Sequence, residues 1–499
     1  MSASERVSDT PGGPVRTALT LGGVLIGFLV VPMAMSGTSV ALPEISAELG
    51  GSGAALQWVV TGYFLAATCL MLVAGSLGDR VGRRLVFAAG VVVWTLSTLG
   101  AALSGDVLLL DTARTLSGVG AAAVLACGGA ILASTFTGPA RTRAFGAVGA
   151  VVGTGLAFGP TVAGWLVGTF GWRAMFAVFA AAGLVVLAGT PAMRESTASV
   201  RPRFDLTGTL LFVTGMVGLM FGVNRVSQAG WGDPVVLASA GVGALLLVAF
   251  AVVQRRVADP VLDLGLVGDR RFVGWLLAAV TLAFGTVGVL VYLPTWLQGA
   301  GGLSAQEAGA LMLVMTVPVL LVPPLAGQVV ARGVPARVVV GIAVGCLAAG
   351  NAWLVGLSPG GAVLTLAGPL LLLGLGNGAA VGLIDAQALD LVDADRVGMA
   401  SGLLNTMRSA ANTVALAVFG AVLVTVVQAG TGDRELAGRV ALGDLSGGDA
   451  GYLAEQYTAA WRVGLGLVAG LCVLAGAAVL YLTSRARPAV VPTEEESHL

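Results

Sequence analysis

Long stretches with no charged side chain alternate with short polar interruptions along most of the chain. From Leu56 to Ala74 there is no acidic or basic residue, and from Leu85 to Gly105 there is none either. Such runs match the roughly 20 residues that carry an α-helix across a bilayer. Strands of a membrane barrel would alternate polar and apolar residues with period two, and these runs do not. The pattern predicts fourteen spans, near 18–41, 55–76, 85–104, 107–133, 144–168, 173–192, 206–224, 235–254, 272–297, 307–331, 336–357, 363–389, 398–428 and 460–484. The first run, Ala18 to Leu42, is longer than the core of a cleaved secretion signal, about 7–15 residues, and is read as a span. Residues 1–15, 486–499 and much of 431–458 are polar, acidic or rich in Gly and Pro, and are expected to be poorly ordered. Within the last of these, "RELAGRVALGDL" is weakly amphipathic, enough for a short interfacial helix.

Composition fixes the class. Only 10% of the 499 residues are charged and 57% are hydrophobic, against about 25% charged in a soluble domain. Net charge is zero, so no nucleic-acid partner is indicated. The single histidine, His498, lies in the C-terminal tail, which leaves no histidine for a membrane-embedded zinc site or proton relay. Cys69, Cys127, Cys346 and Cys472 each fall inside an apolar run and read as small buried residues, not ligands. No metal or cofactor is expected. All 26 basic residues are arginine. Nineteen of them fall on both termini and on every second loop: Arg6 and Arg16; Arg80, Arg83 and Arg84; Arg141 and Arg143; Arg194, Arg201 and Arg203; Arg255, Arg256, Arg270 and Arg271; Arg332 and Arg337; Arg396; Arg485 and Arg487. The opposite loops carry few, apart from the segment 431–458. Positive loops stay in the cytoplasm, which places both termini there, as an even number of spans requires.

One arginine-rich loop reads "GSLGDRVGRRL", Gly75 to Leu85. Topology needs its arginines but neither Asp79 nor the glycines. Gly75, Gly78 and Gly82 allow a tight turn and a close backbone approach, and Asp79 can pair with arginine or face a helix N-terminus. The pattern G-x-L-x-D-R-x-G-R-R, carried by Gly75, Gly78, Asp79, Arg80, Gly82, Arg83 and Arg84, resembles the loop between helices 2 and 3 of the major facilitator superfamily. A degenerate echo, "GQVVARGVPAR" from Gly327 to Arg337, follows span 10, with Ala331 where the aspartate would be. With spans 7 and 8 as an insert, spans 9–14 repeat spans 1–6. That layout resembles the fourteen-helix drug:proton antiporter family. The resemblance implies an all-α polytopic membrane protein of the cell membrane with the major facilitator fold and fourteen transmembrane helices (6+2+6). Its parts would be a cytoplasmic tail 1–17, a bundle 18–192, two inserted helices within 205–254, a second bundle 272–484 and a tail 485–499. In the superfamily the loop carboxylate is understood to meet the cytoplasmic N-terminus of a helix in the other bundle. Here that helix is span 13, beginning near Gly398.

Further motifs carry the resemblance. Span 5 reads "GAVGAVVGTGLAFGPTVAG", and Gly155, Gly159, Pro160 and Gly164 resemble the superfamily's antiporter motif, with Ala163 in place of one closing glycine. Small residues at this spacing let helices pack backbone to backbone, and proline bends them. In span 4, Asp111 and Arg114 are i,i+3 neighbours on one face. Arg114 in "LLLDTARTLSGVG" resembles the superfamily's helix 4 arginine, with Ser117 where Gln is usual; it either lines the path or reaches outward with Asp111. "LQWVVTGYFLA", "FDLTGTLLF" with Gly230–Trp231, and "GMASGLLNTMRSAANTVALAV" resemble spans 2, 7 and 13 of the fourteen-helix family.

Span 1 departs from the family pattern: in "AMSGTSVALPEI", Ala34 stands at the usual acidic position and Ser39 at the Asn position. Asp385 in span 12 is the next candidate carboxylate, or else an ordinary interfacial charge. Arg408 lies deeper in span 13 and calls for a carboxylate partner. Met33, Trp58, Tyr63, Tyr292 and Met315 are candidates to line an apolar cavity, as are Asn377 and Asn405, whose amides are costly in lipid. There is no G-x-x-x-x-G-K-[ST] loop, so ATP is not expected to drive the protein. The expected function is proton-coupled efflux of a small hydrophobic or amphipathic compound by alternating access, by an antiporter of multidrug-resistance type. It is expected to be a monomer in the lipid bilayer. Nothing supplies the His, Cys or paired carboxylates of an embedded enzyme. The alternative, an uncoupled facilitator or sensor of the same fold, stays open because of Ala34.

Overall fold

The computed structural model describes residues 13–49, 53–197, 205–230, 232–257, 259–303, 305–356, 358, 363–441, 443–445 and 448–484. The expectations for 1–12 and 486–499 lie outside these residues. Fourteen long helices run α1 Pro14–Leu49, α2 Gly53–Val81, α3 Arg83–Ala102, α4 Val107–Thr135, α5 Gly138–Phe170, α6 Trp172–Gly189 and α7 Leu206–Ala229, then α8 Pro234–Gln254, α9 Arg270–Gly299, α10 Ala305–Ala331, α11 Ala336–Leu354, α12 Ala367–Leu389, α13 Val397–Thr431 and α14 Ala450–Ser484. Thirteen are long and apolar enough to cross a membrane, and α5, bent by 41° between Leu156 and Phe158, makes fourteen if counted as one span. The bend follows from Pro160. Proline lacks the N–H that would bond the carbonyl four residues back, at Leu156, and its ring crowds that carbonyl.

Helices satisfy their own backbone groups in lipid, so the ends need attention. Several are capped by acids placed just before the apolar run. Asp106 accepts from the Leu109 N–H at 2.8 Å, and Asp205 from Gly208 at 2.7 Å. Asp233 accepts from Val235 and Val236, and Asp269 from Arg271 at 2.8 Å.

α1 packs on α5 and α6, α2 on α4, and α3 on α4 and α6. The same arrangement recurs eight helices later: α9 packs on α13 and α14, α10 on α12, and α11 on α12 and α14. We call α1–α6 the first half and α9–α14 the second. α7 pairs with α8 and also touches α2 and α13. In the most apolar stretch of α4, 78% of residues are buried, against 17% in α8; α4 is a core helix and α8 faces lipid. The halves meet through α2 on α13, α4 on α13, and α5 on α10 and α12.

In segment 431–458 the short helix allowed by "RELAGRVALGDL" forms. A short helix, Arg434–Ala441, buries Ala437, Val440 and Ala441, the Tyr457 hydroxyl donates to the Ala441 carbonyl at 3.1 Å, and α14 begins at Ala450. Three small or branched apolar side chains on one face outweigh the polar composition. Helix α1 begins at Pro14.

Candidate functional site

The tightest contacts between the halves lie at the ends that carry the arginine-rich loops. Asp79, 4% exposed, ends the seam on the α2 side. Its two oxygens accept from the Gly398 N–H at 2.9 Å and the Met399 N–H at 2.8 Å, the unsatisfied donors at the start of α13. Arg83 donates from Nε to Asp79 at 2.8 Å and from Nη2 to the Ala394 carbonyl at 2.5 Å. The carboxylate therefore meets the helix that the resemblance assigned to it. The glycines make this possible. A methyl on Gly75 would lie 2.1 Å from the Gly398 oxygen, one on Gly398 2.3 Å from Asp79, and one on Gly402 2.5 Å from the Met71 oxygen. Gly78 packs on α4, where a methyl would meet Cys127 Sγ at 2.7 Å. Gly82 has φ 126°, the turn between α2 and α3. Arg80 ends α2, and the Arg84 N–H donates to Glu195 at 3.0 Å.

A second seam joins α5 to α10 and α12. A methyl on Gly382 would lie 2.3 Å from the Phe145 oxygen, and one on Gly153 2.2 Å from Val319. Arg141 at the start of α5 pairs with Asp390 at the end of α12. Between the two seams is a small pocket lined by Phe28, Phe145, Val148, Asp385, Ser401 and Asn405, among others. Asp385 pairs with Arg408 across α12 and α13, so Arg408 has the carboxylate partner its depth requires. Asp385 is 8% exposed, too buried for an ordinary interfacial charge.

In the first half, Gly155 and Gly159 press α5 onto α1. Methyls there would meet the Leu29 oxygen at 2.5 Å and Ser36 Oγ at 2.1 Å. Gly164 is looser, 3.5 Å from Val40. Arg114 is fully buried. Its Nε donates to the Val59 carbonyl at 3.2 Å, and its guanidinium lies 4.3 Å over the Tyr63 ring and 5.5 Å from that of Phe176. Asp111 and Arg114 do not pair. Among the described residues, Asp111 Oδ1 and both Arg114 Nη atoms have no hydrogen-bond partner. Outward reach with Asp111 is thus corrected: α2 and α6 aromatics hold the arginine inward.

The remaining candidates divide. Asn405 lines the pocket; Met33, Trp58, Tyr63, Tyr292, Met315 and Asn377 do not. Tyr63 is fully buried and donates to the Val31 carbonyl at 3.3 Å. Met315 is 2% exposed, Tyr292 stacks on Phe419 at 5.8 Å, and Asn377 donates to Thr286 at 3.2 Å. Met33 and Trp58 are half-buried, and Trp58 meets Phe221 of α7 edge-on. Ala34 is fully buried.

Sequence reasoning missed three partners. Glu195 caps α3, accepting from Arg84 and from Leu85 at 3.1 Å. Asp390 takes Arg141, and Asp263 takes Arg396 beside the start of α13. The one signal was acids standing among arginines in those loops.

Among known proteins, the family that matches is described as Major Facilitator Superfamily, over residues 24–416. The chain is 33% identical over 419 residues to the multidrug resistance protein Stp of Mycobacterium tuberculosis, covering 82% of this chain and 76% of that protein. It is 30% identical over 516 residues to the tetracenomycin C resistance and export protein of Streptomyces glaucescens, covering 97% and 95%. In structure it resembles the human organic anion transporter MFSD10, with a TM-score of 0.62 at 13% identity, covering 94% and 100%.

Proposed function

The chain belongs to the major facilitator superfamily, as a multi-pass transporter of the cell membrane and not an enzyme, and on that footing we propose that it exports a small hydrophobic or amphipathic compound, with protons moving the other way. The observation that carries this reading is the seal between the halves toward the arginine-rich end, among the described residues. The α2–α13 and α5–α12 seams close the halves toward the arginine-rich end, with Gly75, Gly382, Gly398 and Gly402 among their contacts. Arginine asymmetry sets that end in the cytoplasm, with both termini. On this reading the chain is closed to the cytoplasm, and rocking of 18–192 against 272–484 would expose the pocket at Asp385 to either side. The inserted pair within 205–254 packs beside the halves through α7. A monomer is complete for this purpose. Export agrees with the names of the relatives, one for multidrug resistance and one for tetracenomycin C export.

The test is production of the chain in a drug-hypersusceptible bacterium, with a panel of apolar antibiotics that includes tetracenomycin C. Resistance to at least one compound is expected, and loss of that resistance in Asp79→Asn at equal expression. No gain against any of the panel would overturn export. Ala34 at the span 1 acidic position favours a second reading, an uncoupled facilitator, which would equilibrate a compound but never concentrate it.

A further inference from the structure

We propose that the Asp385–Arg408 ion pair is the proton-binding site, and that protonation of Asp385 releases both seams. The inference rests on the proton-coupled reading above and names the group that reading leaves open.

Three carboxylates are buried within spans among the described residues: Asp79, Asp111 and Asp385. α1 supplies none, since Ala34 fills the position. Asp79 is committed to two backbone N–H groups and Arg83. Asp111 lies on α4 eighteen residues before the pocket residue Gly129, about 27 Å along the helix. Asp385 alone faces the space between the halves.

Its position joins the two seams. Asp385 sits one turn beyond Gly382, which packs on Phe145 of α5. Arg408 rides on α13, whose Gly398 and Gly402 pack on α2. α12 and α13 otherwise touch little, so the pair is a tie between the two helices that form the second half's side of the seal.

Among the described residues, no other charged side chain lines the pocket with Asp385. Around the pocket, α1 brings Phe28, α4 Gly129, and α5 Phe145 and Val148. α9, α10 and α11 also pack on α12, and they carry no acid or base over 272–299, 308–331 and 338–354. The Asp390–Arg141 pair lies beyond, at the loop.

The step balances simply. One proton from the aqueous phase binds a carboxylate oxygen of Asp385, Arg408 keeps its own, and the pair goes from net zero to +1. An unpaired guanidinium among apolar walls is costly. The cost falls when the seams part and water reaches Arg408. Loss of the proton to that water restores the pair and the seal.

The test uses the full chain in lipid nanodiscs with spin labels at Leu85 and Val338, 56% and 41% exposed, one on each half at the arginine-rich end. Distances are read from about pH 8 to about pH 3, a range that spans ordinary carboxylate titration. The wild-type background should shift from short to long distances as pH falls. Asp385→Asn should give the long distance throughout, Asp385→Glu should respond again, and Asp79→Asn should gain long distances yet keep its response. A wild-type-like pH response in Asp385→Asn, or a short distance throughout, overturns the proposal. If Asp385→Asn does not fold, Asp385→Glu carries the test, and an unmoved midpoint overturns it. No pH response in the wild-type background would overturn the proton-coupled reading itself, and this site with it.

Discussion

At Asp79 both oxygens are held by the opposite half, so the residue reports on the seal more than on folding. A carboxylate at a partly buried helix N-terminus contributes up to about 2 kcal/mol, and states of a transporter differ by a few kcal/mol. Asp79→Asn should therefore shift the population toward an open arginine-rich end, roughly 5–30-fold, with little change in melting temperature. Gly398→Val should do the same by sterics, since even a methyl meets Asp79 at 2.3 Å. Labelling of a cysteine placed behind the seam measures both; unchanged labelling in the two variants would show that the turn only anchors topology. Arg114 gives a different expectation. Its charge is buried with both Nη atoms unpartnered among the described residues. Burying a charge without an ionic partner carries a desolvation penalty of roughly several kcal/mol, which an apolar side chain of similar volume does not bear. Arg114→Met should keep or raise thermal stability while losing transport, and Arg114→Lys should not rescue transport, because lysine lacks the planar fork that lies over Tyr63. Full transport in Arg114→Met would reduce the residue to a packing element.

Among the elements, α1 and α6 are clasped at the end away from the seal. Glu48 accepts from Trp172 Nε1 at 2.7 Å and pairs with Arg173. Those hydrogen bonds, that from Arg173 first, hold the Glu48 carboxyl below its ordinary value. A depressed folded value contributes stability above the unfolded value, and that stability is lost as pH falls through the folded one. Glu48→Gln should melt earlier than wild type at neutral pH, with the gap closing below the carboxylate range. A gap that persists in acid would mean the clasp works by shape alone. Elements of this kind show how far the sequence could be read. The helices were legible because lipid demands long uncharged runs, and the α5 bend because Pro160 removes a named hydrogen bond. Gly75, Gly78 and Gly82 were legible as a close approach, although the local pattern holds nothing about what approaches. The partner of Asp79 came only through the resemblance. Glu195, 111 residues from Arg84, and Asp390, 249 residues from Arg141, were invisible as partners, since pairing across loops leaves no periodicity. For Tyr63 and Met315 the sequence does not say which neighbour they face, because an apolar helix does not reveal which side meets another helix.

Across the whole molecule, the contact pattern of α1–α6 recurs in α9–α14, as the echo at Gly327–Arg337 suggested, and the halves touch where their arginine-rich ends converge. Three features meet at that scale: a seal toward one end, an ion pair tying the seal's two helices, and relatives named for drug resistance and export. On the proposed function, a proton gradient drives a compound out of the cytoplasm. The most direct measurement is accumulation of tetracenomycin C and other apolar antibiotics in inside-out vesicles containing the chain, with the interior made acidic. Concentration of at least one compound above its external level, abolished by a protonophore and absent from vesicles without the chain, is the predicted result. Compounds that only equilibrate, at the same rate with and without the gradient, would contradict it.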